Sequence, residues 1–275
     1  MKFLRIFIAL IALLAIVTSR RAHNHYNTQV VQSSTSYTSA KGGLIYYLDR
    51  QKPACANGSG MSYFKLNAQG DTVNYSYNCI NSEAISTKSS DVSSHSTPFN
   101  SYNTGIFQDY SVNFLDRHSV QCASGVLKSF ELGRDAGHNN INIQYKCVKA
   151  QTLCCKQHST PHTSMRSRKT FDLQLQSVGT TAATHMVLKG FKLVSDSNKD
   201  TLHYVYTTCK LKDMQAEKRV SLLQTAYSKD TISLTSAKSE YETLFKKVED
   251  ARKIVSDLEA EVSTAQSHAG LTASC

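Results

Sequence analysis

Residues 115–147 read LDRHSVQCASGVLKSFELGRDAGHNNINIQYKC and contain the pattern on which the predicted fold rests. The pair Asp116-Arg117 comes first, and Cys122 follows six residues after the aspartate. A short apolar run then leads through a polar turn to a segment of alternating apolar residues that ends at Cys147. Alternation with a period of two is typical of a strand with one buried face. The stretch therefore predicts a β-hairpin that its two cysteines close.

The same order of features appears upstream. Asp49-Arg50 precedes Cys55 by the same six residues, and an alternating aromatic segment ends at Cys79. Because Cys79 lies on the buried face of its strand and Cys55 precedes the partner strand, we expect these two cysteines to form a disulfide. Recurrence of one pattern predicts a repeated structural unit.

A third, degenerate copy is expected over residues 171–213. Ala183 stands where the first cysteine would be, and Cys209 lies out of phase with the alternation before it, which indicates a bulge. We expect Cys154 or Cys155 to pair with Cys209. The remaining one would then pair with Cys275 or with a cysteine of another chain.

The recurring Asp-Arg pairs admit two interpretations. Asp49-Arg50 and Asp116-Arg117 could contact a ligand, or they could form a turn or ion pair that sets the start of each repeat. We favour the structural interpretation, because one chain uses the pair twice in the same frame.

The first residues predict secretion. Lys2 and Arg5 precede an unbroken apolar run over residues 6–17, which favours a signal peptide cleaved after Ser19. Twelve apolar residues are too few to span a bilayer, which takes roughly twenty. We therefore expect an extracellular or granule-lumen protein with no transmembrane segment after cleavage, in which the cysteines form disulfides.

Secretion also makes two glycosylation sequons relevant. Asn57 begins Asn-Gly-Ser and Asn74 begins Asn-Tyr-Ser. Asn74 falls on the strand face opposite Val73 and Tyr75, so its side chain is expected to reach water.

The character of the chain changes at Met214. Apolar residues recur every seven positions in two series, which predicts a coiled-coil helix. Lys229-Asp230-Thr231 is expected to cap a new helix start, dividing the segment in two. The helix would pair with a second copy or a similar chain, or else fold back as a hairpin. The two series are Val220, Tyr227, Leu234, Tyr241, Val248, Val255 and Val262, and Leu223, Asp230, Ala237, Leu244, Ala251, Leu258 and Ala265.

The predicted fold class is α+β, with Cys-clasped antiparallel β repeats followed by a long α-helix. The predicted segments are a signal peptide (1–19), a polar arm (20–42), β repeat 1 (43–80), a linker (81–104), β repeat 2 (105–150), a Cys/His/basic linker (151–170), degenerate β repeat 3 (171–213), a helical coiled coil (214–268) and a tail (269–275).

No catalytic, cofactor or metal site is predicted. Nucleophile elbows, metalloprotease helices and phosphate loops are absent from the sequence. Cys154, Cys155, His158 and His162 lie too close together for the usual zinc-finger spacing. We therefore expect a protein that is not an enzyme.

The net charge of +10 is unevenly distributed. Residues 20–213 contain 21 Lys/Arg and 12 Asp/Glu, whereas residues 214–275 contain 8 and 9. A basic surface on a secreted protein favours glycans or acidic matrix surfaces as partners, and not nucleic acid.

The frame of Cys122, Gly125, Phe130, Tyr145 and Cys147 resembles the disulfide-looped repeats of the dermatopontin family. Asp116-Arg117 before the cysteine is also similar, and a less close match runs through Cys55, Phe64, Tyr77 and Cys79. The coiled coil has no counterpart in that family. The resemblance implies a secreted protein that acts in matrix adhesion, and in some invertebrates in cell agglutination.

A second resemblance is to the secretory-granule matrix proteins of protists, which combine signal peptides with coiled-coil segments.

Together, these features predict a secreted structural or adhesive protein of the matrix, cell surface or secretory granule. Its β modules would contact a surface or glycan, and its helix would drive self-assembly. The alternative is a monomeric, lectin-like or ligand-binding module whose helix packs as a hairpin.

Overall fold

The computed structural model describes residues 28–102, 111–137, 139–181, 185–198 and 200–272. The described chain divides into a β-rich unit up to Met214, here called the β body, and a helical unit from Gln215 onward. The predicted signal peptide, residues 1–19, and Cys275 lie outside the described residues.

The described part of the β body contains fourteen strands and four 3-10 helices, numbered in chain order. The strands are β1 (Gln29–Ser34), β2 (Thr38–Ser39), β3 (Ser59–Gln69), β4 (Thr72–Asn81), β5 (Val92–Ser96), β6 (Asn100–Ser101), β7 (Ser119–Gln121), β8 (Val126–Arg134), β9 (Asn140–Val148), β10 (Thr152–Ser159), β11 (Thr163–Ser164), β12 (Ser177–Gly179), β13 (Met186–Ser195) and β14 (Thr201–Leu211). The 3-10 helices are η1 (Ile45–Arg50), η2 (Ser89–Asp91), η3 (Val112–Arg117) and η4 (Thr170–Leu175).

These strands form three antiparallel sheets, each built on one long hairpin. Sheet 1 has the order β1-β4-β3-β12, with β2 beside β4. Sheet 2 has β5, β9 and β8, with β6 beside β9, and sheet 3 has the order β10-β14-β13-β7, with β11 beside β14. The three hairpins share one irregularity, because a register shift follows Met61, Leu127 and Leu188 in their first strands.

The short segment that precedes each hairpin pairs with the edge of another sheet. β7 pairs with β13 of sheet 3, and β12 pairs with β3 of sheet 1. Ala54 makes the corresponding bridge to Ser129 in sheet 2. The residue that follows each segment donates its backbone N–H to the hairpin, from Cys55 to Lys128, from Cys122 to Lys189 and from Thr180 to Ser62. The three sheets are therefore interlocked in a closed ring.

The core of the β body lies where the three hairpins meet. Phe64, Phe130 and Phe191 come from β3, β8 and β13, and their ring centroids lie 4.8 to 5.0 Å apart. All three are buried. Edge-to-face aromatic contacts at such distances add to the free energy gained from burial alone. One aromatic residue from each hairpin thus fixes the three sheets around a common centre.

Three predicted boundaries differ from the structure. The polar arm 20–42 contributes β1 and β2, the linker 81–104 contains η2, β5 and β6, and the linker 151–170 contains β10 and β11. Most side chains of β1, β5 and β10 are exposed, so these edge strands lack the apolar alternation that marks a half-buried strand. Backbone pairing to β4, β9 and β14 holds them in the sheets.

The apolar and aromatic run Leu44–Leu48, at the start of β repeat 1, suits a strand by composition, but Ile45–Arg50 forms 3-10 helix η1. Ile45 and Leu48 are buried three residues apart, which is one turn of a 3-10 helix. A short apolar run does not distinguish a strand from a buried helical turn by periodicity alone.

The C-terminal unit is one uninterrupted α-helix, α1 (Met214–Thr272). The expected cap at residues 229–231 is absent, since Thr231 Oγ1 donates to the Tyr227 carbonyl within the helix, at 2.8 Å. The hairpin alternative is therefore wrong for the described residues. No helix among the described residues is long and apolar enough to cross a membrane.

Candidate functional site

Two disulfides connect neighbouring sheets. Cys55–Cys79 joins the segment that bridges to sheet 2 with β4 of sheet 1, and their Cα atoms lie 5.7 Å apart. Cys122–Cys147 joins the segment after β7, which pairs with sheet 3, to β9 of sheet 2, with the same Cα separation. Each bridge thus closes a junction between two sheets as well as its own hairpin unit.

The third junction has no disulfide. Thr180 makes the backbone hydrogen bond that Cys55 and Cys122 make at the other two junctions. Thr208 lies opposite Leu188, as Cys79 and Cys147 lie opposite Met61 and Leu127. The residue in place of the first cysteine is therefore Thr180, and not Ala183, which lies outside the described residues.

The remaining bridge joins paired strands of sheet 3. Cys155 bonds to Cys209 across β10 and β14, where the two residues are register partners. The bulge is in β10, at Cys154, whose φ is +42°, and not in β14 at Cys209. Cys154 is exposed and has a free thiol. Its expected pairing with Cys275 or another chain stays a prediction.

The Asp-Arg pairs contact neighbouring units and do not pair within themselves. Asp49 forms an ion pair with Arg134 at the end of β8, at 2.5 Å. Asp116 accepts a hydrogen bond from Ser195 Oγ at the end of β13. Arg50 and Arg117 cover nearby aromatic rings, Tyr47 and Phe114, at 4.3 and 4.8 Å. The two aspartate contacts thus fix η1 and η3 on the next hairpin, whereas the arginine contacts lie within η1 and η3.

A buried polar cluster recurs three times and was missed in the sequence. Gln51, His118 and Gln176 follow η1, η3 and η4 respectively, and all are at most 2% exposed. Each bonds to a threonine hydroxyl, from Thr35, Thr97 and Thr160 respectively. Each threonine also accepts from the backbone N–H of β4, β9 or β14. The signal was available, because the three threonines stand in Ser34-Thr35 through Ser39, Ser96-Thr97 through Ser101 and Ser159-Thr160 through Ser164.

His118 is the titratable member of this cluster. Thr97 Oγ1 lies 2.7 Å from His118 Nδ1, whereas Nε2 has no partner among the described residues. Burial, with a smaller effect from Arg117, lowers the pKa of His118 below its usual 6.5. The neutral ring is therefore favoured in the folded protein.

The two sequons have different surroundings. Asn57 is exposed, and its Oδ1 accepts a hydrogen bond from Lys128 Nζ at 3.1 Å. Asn74 is only 5% exposed, donates to the Thr35 carbonyl and accepts from Asn67. The expectation that Asn74 reaches water is wrong, because the side chain is buried against Thr35 and Asn67, to which it hydrogen-bonds.

The cysteine and histidine residues of region 151–170 do not converge on one site. His158 stacks on Tyr206, and His162 lies tilted against His203 with ring centroids 4.0 Å apart. Cys155 is in a disulfide. Within the described residues, no three His, Cys, Asp or Glu side chains are grouped to hold a metal ion.

The helix presents its heptad residues to solvent. The large apolar residues of both series, from Val220 to Val262, are 51% to 74% exposed. Soluble proteins usually bury large apolar side chains, so this exposed stripe is the candidate interaction surface of the helix. We call these residues the heptad stripe; its described members end at Ala265.

In comparisons with known proteins, no protein-family model, curated protein or solved structure matches this chain.

Proposed function

We propose that this protein is a secreted structural or adhesive protein of the extracellular matrix, cell surface or secretory granule, and that it assembles through its C-terminal helix. The β body is built from three diverged copies of one module and contacts an acidic surface or glycan. The helix joins two or more β bodies into one assembly.

The observation that carries the proposal is the exposed heptad stripe on α1. A helix of 59 residues extends about 89 Å at 1.5 Å per residue. Long helices gain most of their stability from packing an apolar face, and the stripe of α1 is exposed in the single chain. The seven-residue spacing of the stripe fits a left-handed coiled coil. The occupant that best fits this face is therefore the same face of a second copy.

Two features support the location and the role of the β body. Three disulfides are compatible with an oxidising compartment outside the cytosol. The excess of 21 Lys/Arg over 12 Asp/Glu in residues 20–213 favours anionic surfaces. Joining several such bodies would raise the avidity of individually weak contacts.

Sedimentation equilibrium of the secreted chain tests the assembly, with and without reductant. We expect a dimer or higher oligomer under both conditions, because the stripe needs no disulfide. Leu244→Glu together with Leu258→Glu places two charges in the stripe and should produce a monomer.

The matched control is Ser239→Glu together with Ser256→Glu. These positions add the same charge to α1 but lie outside the two heptad series. The control should keep the oligomer. A wild-type monomer at micromolar concentration, or equal effects of the two double variants, would refute assembly through the stripe.

A further inference from the structure

A polar groove of about 460 Å³ lies over sheet 2. Its lining includes Phe99, Asn142, Gln144 and Lys146, together with the Lys52–Glu131 ion pair. The volume falls in the range of small-molecule sites, about 300–1,000 Å³. Its polar walls and exposed aromatic ring distinguish it from the apolar centre of the β body.

One buried acceptor in this groove lacks a partner. Asn142 is only 4% exposed, and its Oδ1 has no hydrogen bond among the described residues. Across the hairpin, Asn142 stands opposite Gly133. Buried polar atoms in folded proteins nearly always have partners, because an unpaired one is costly. Asn142 Oδ1 is shielded from solvent, beside Gly133 and the Gln144 amide. Gln144 is exposed, so a ligand hydroxyl that displaces its side chain would reach Asn142 Oδ1.

In sheet 1, the asparagine that corresponds to Asn142 has a hydrogen-bond partner. The corresponding cross-strand pair there is Asn67 and Asn74. Asn67 Nδ2 donates to Asn74 Oδ1 at 3.0 Å and to Ser76 Oγ at 3.2 Å. Gly133 has no side chain to do the same for Asn142. A ligand hydroxyl in the groove would take the place that the Asn67 amide occupies in sheet 1.

In sheet 3, a histidine ring covers the position that corresponds to the groove. Its residue corresponding to Asn142 is His203, opposite Val194. His162 covers His203, with ring centroids 4.0 Å apart. In sheet 2 the residue corresponding to His162 is Phe99, which is 50% exposed. His203 Nδ1 is also unpaired among the described residues, but the His162 ring lies over it. Of these three related faces, sheet 2 is thus the one with an open groove beside its unpaired atom.

The groove has an unbalanced positive charge. Lys52 Nζ and Glu131 Oε1 lie 2.8 Å apart and neutralise each other. Lys146 has no ion-pair partner in the described part of the chain, and burial together with the charge of Lys146 lowers the pKa of Lys128. A ligand with one acidic group would balance this charge.

We propose that the groove binds a pyranose that carries one acidic group, such as a uronate. A ring hydroxyl donates to Asn142 Oδ1, the Gln144 amide bonds neighbouring hydroxyls, and the carboxylate lies near Lys146. The apolar face of the ring packs on Phe99. This site rests on the proposed function, since it identifies the sugar class through which the β body contacts a surface.

Ligand-observed NMR titration of the full chain tests the site with glucuronate, galacturonate and N-acetylneuraminate, and with glucose, galactose and acetate as controls. We expect at least one acidic sugar to bind in the millimolar range, about tenfold more tightly than its neutral counterpart and than acetate. Equal binding of acetate would refute a sugar site. Absence of binding by all three acidic sugars would refute the proposal.

Two variants locate the binding. Gly133→Asn places a Cβ 2.3 Å from Asn142 Oδ1, so the new side chain displaces this oxygen or pairs with it and should abolish binding. Val194→Asn, at the corresponding position of sheet 3, is its control. Lys146→Gln should weaken binding about tenfold, whereas Lys192→Gln, an exposed lysine of sheet 3, should not. Lys146→Gln remains decisive if Gly133→Asn fails to fold, because Lys146 is exposed. Unchanged affinity in Lys146→Gln would place the ligand elsewhere.

The test separates this site from the assembly. The monomeric Leu244→Glu, Leu258→Glu variant should bind a free monosaccharide with unchanged affinity. If the wild-type protein is an oligomer but does not bind the sugar, the groove proposal is refuted and the assembly proposal stands. If the wild-type protein is a monomer that binds the sugar, the assembly proposal is refuted and the groove proposal stands.

Discussion

Replacing both Cys122 and Cys147 with alanine should lower the free energy of unfolding of the β body by about 3.5 kcal/mol. The bridge spans 25 residues, and closing a loop of that length in the unfolded chain accounts for about 3.5 kcal/mol in the chain-entropy model. Both cysteines are at most 1% exposed, so the variant also loses buried sulfur contacts. The loss is large against the 5–15 kcal/mol that is usual for a domain.

The variant should nevertheless keep its fold. The junction between sheets 3 and 1 already forms without a bridge, with Thr180 and Thr208 at the corresponding positions. We therefore expect an unchanged near-ultraviolet tyrosine circular dichroism spectrum below the unfolding transition. The variant should therefore lose free energy of unfolding while its folded structure stays the same.

Urea unfolding without reductant measures the change. The control is Cys154→Ala, because Cys154 is exposed and outside the three bridges, and it should shift stability by less than about 0.5 kcal/mol. A loss below about 1 kcal/mol for the double variant would contradict the reasoning. Such a result would mean that the bridge does not restrict the unfolded chain.

Two further predictions concern single residues. The neutral ring of His118 stabilises the fold above its usual pKa of 6.5, and that stability is lost as the pH falls, because the unfolded chain takes up a proton more readily. His118→Gln, which copies Gln51 and Gln176, should therefore reduce the drop in urea midpoint between pH 7 and pH 5, and an unchanged drop would exclude His118 as its source. Gly125→Ala should destabilise by about 2–4 kcal/mol in thermal or urea unfolding, because its φ is +83° and a Cβ would lie 2.1 Å from the Val148 carbonyl oxygen. Gly70→Ala, with φ of +57° and no atom within 4 Å, should cost only about 1 kcal/mol, and equal losses at the two glycines would argue against a backbone clash.

The hairpins could be predicted because their signals are local. β4 and β9 alternate apolar and polar residues on a period of two, and in each the alternation runs up to a cysteine near the end of the strand. The turn between β3 and β4 is Gly70-Asp71, and Gly70 has the positive φ that two-residue hairpin turns need. The helix was equally visible, because its seven-residue spacing continues over many turns.

The edge strands could not be predicted in this way. β1, β5 and β10 expose most of their side chains, so no apolar face marks them. Their sequence signal is instead the serine-threonine step at Ser34-Thr35, Ser96-Thr97 and Ser159-Thr160. Each threonine bonds both strand backbone and a buried Gln or His, which requires the edge strand to lie beside the hairpin. A polar residue that serves the core looks like a loop residue when hydropathy alone is considered.

The pairing of short segments with a neighbouring sheet is even harder to predict from local sequence patterns. β7 and β12 have three residues each, and Ala54 forms a single bridge. Such segments have no stable conformation of their own, and each is fixed by a hairpin distant in sequence. Gly179 shows the constraint directly, because a Cβ there would lie 2.0 Å from the Ser62 carbonyl oxygen of sheet 1. At the junction that lacks a disulfide, backbone contact this close requires glycine, so the ring of three sheets depends there on the packing of main chain against main chain.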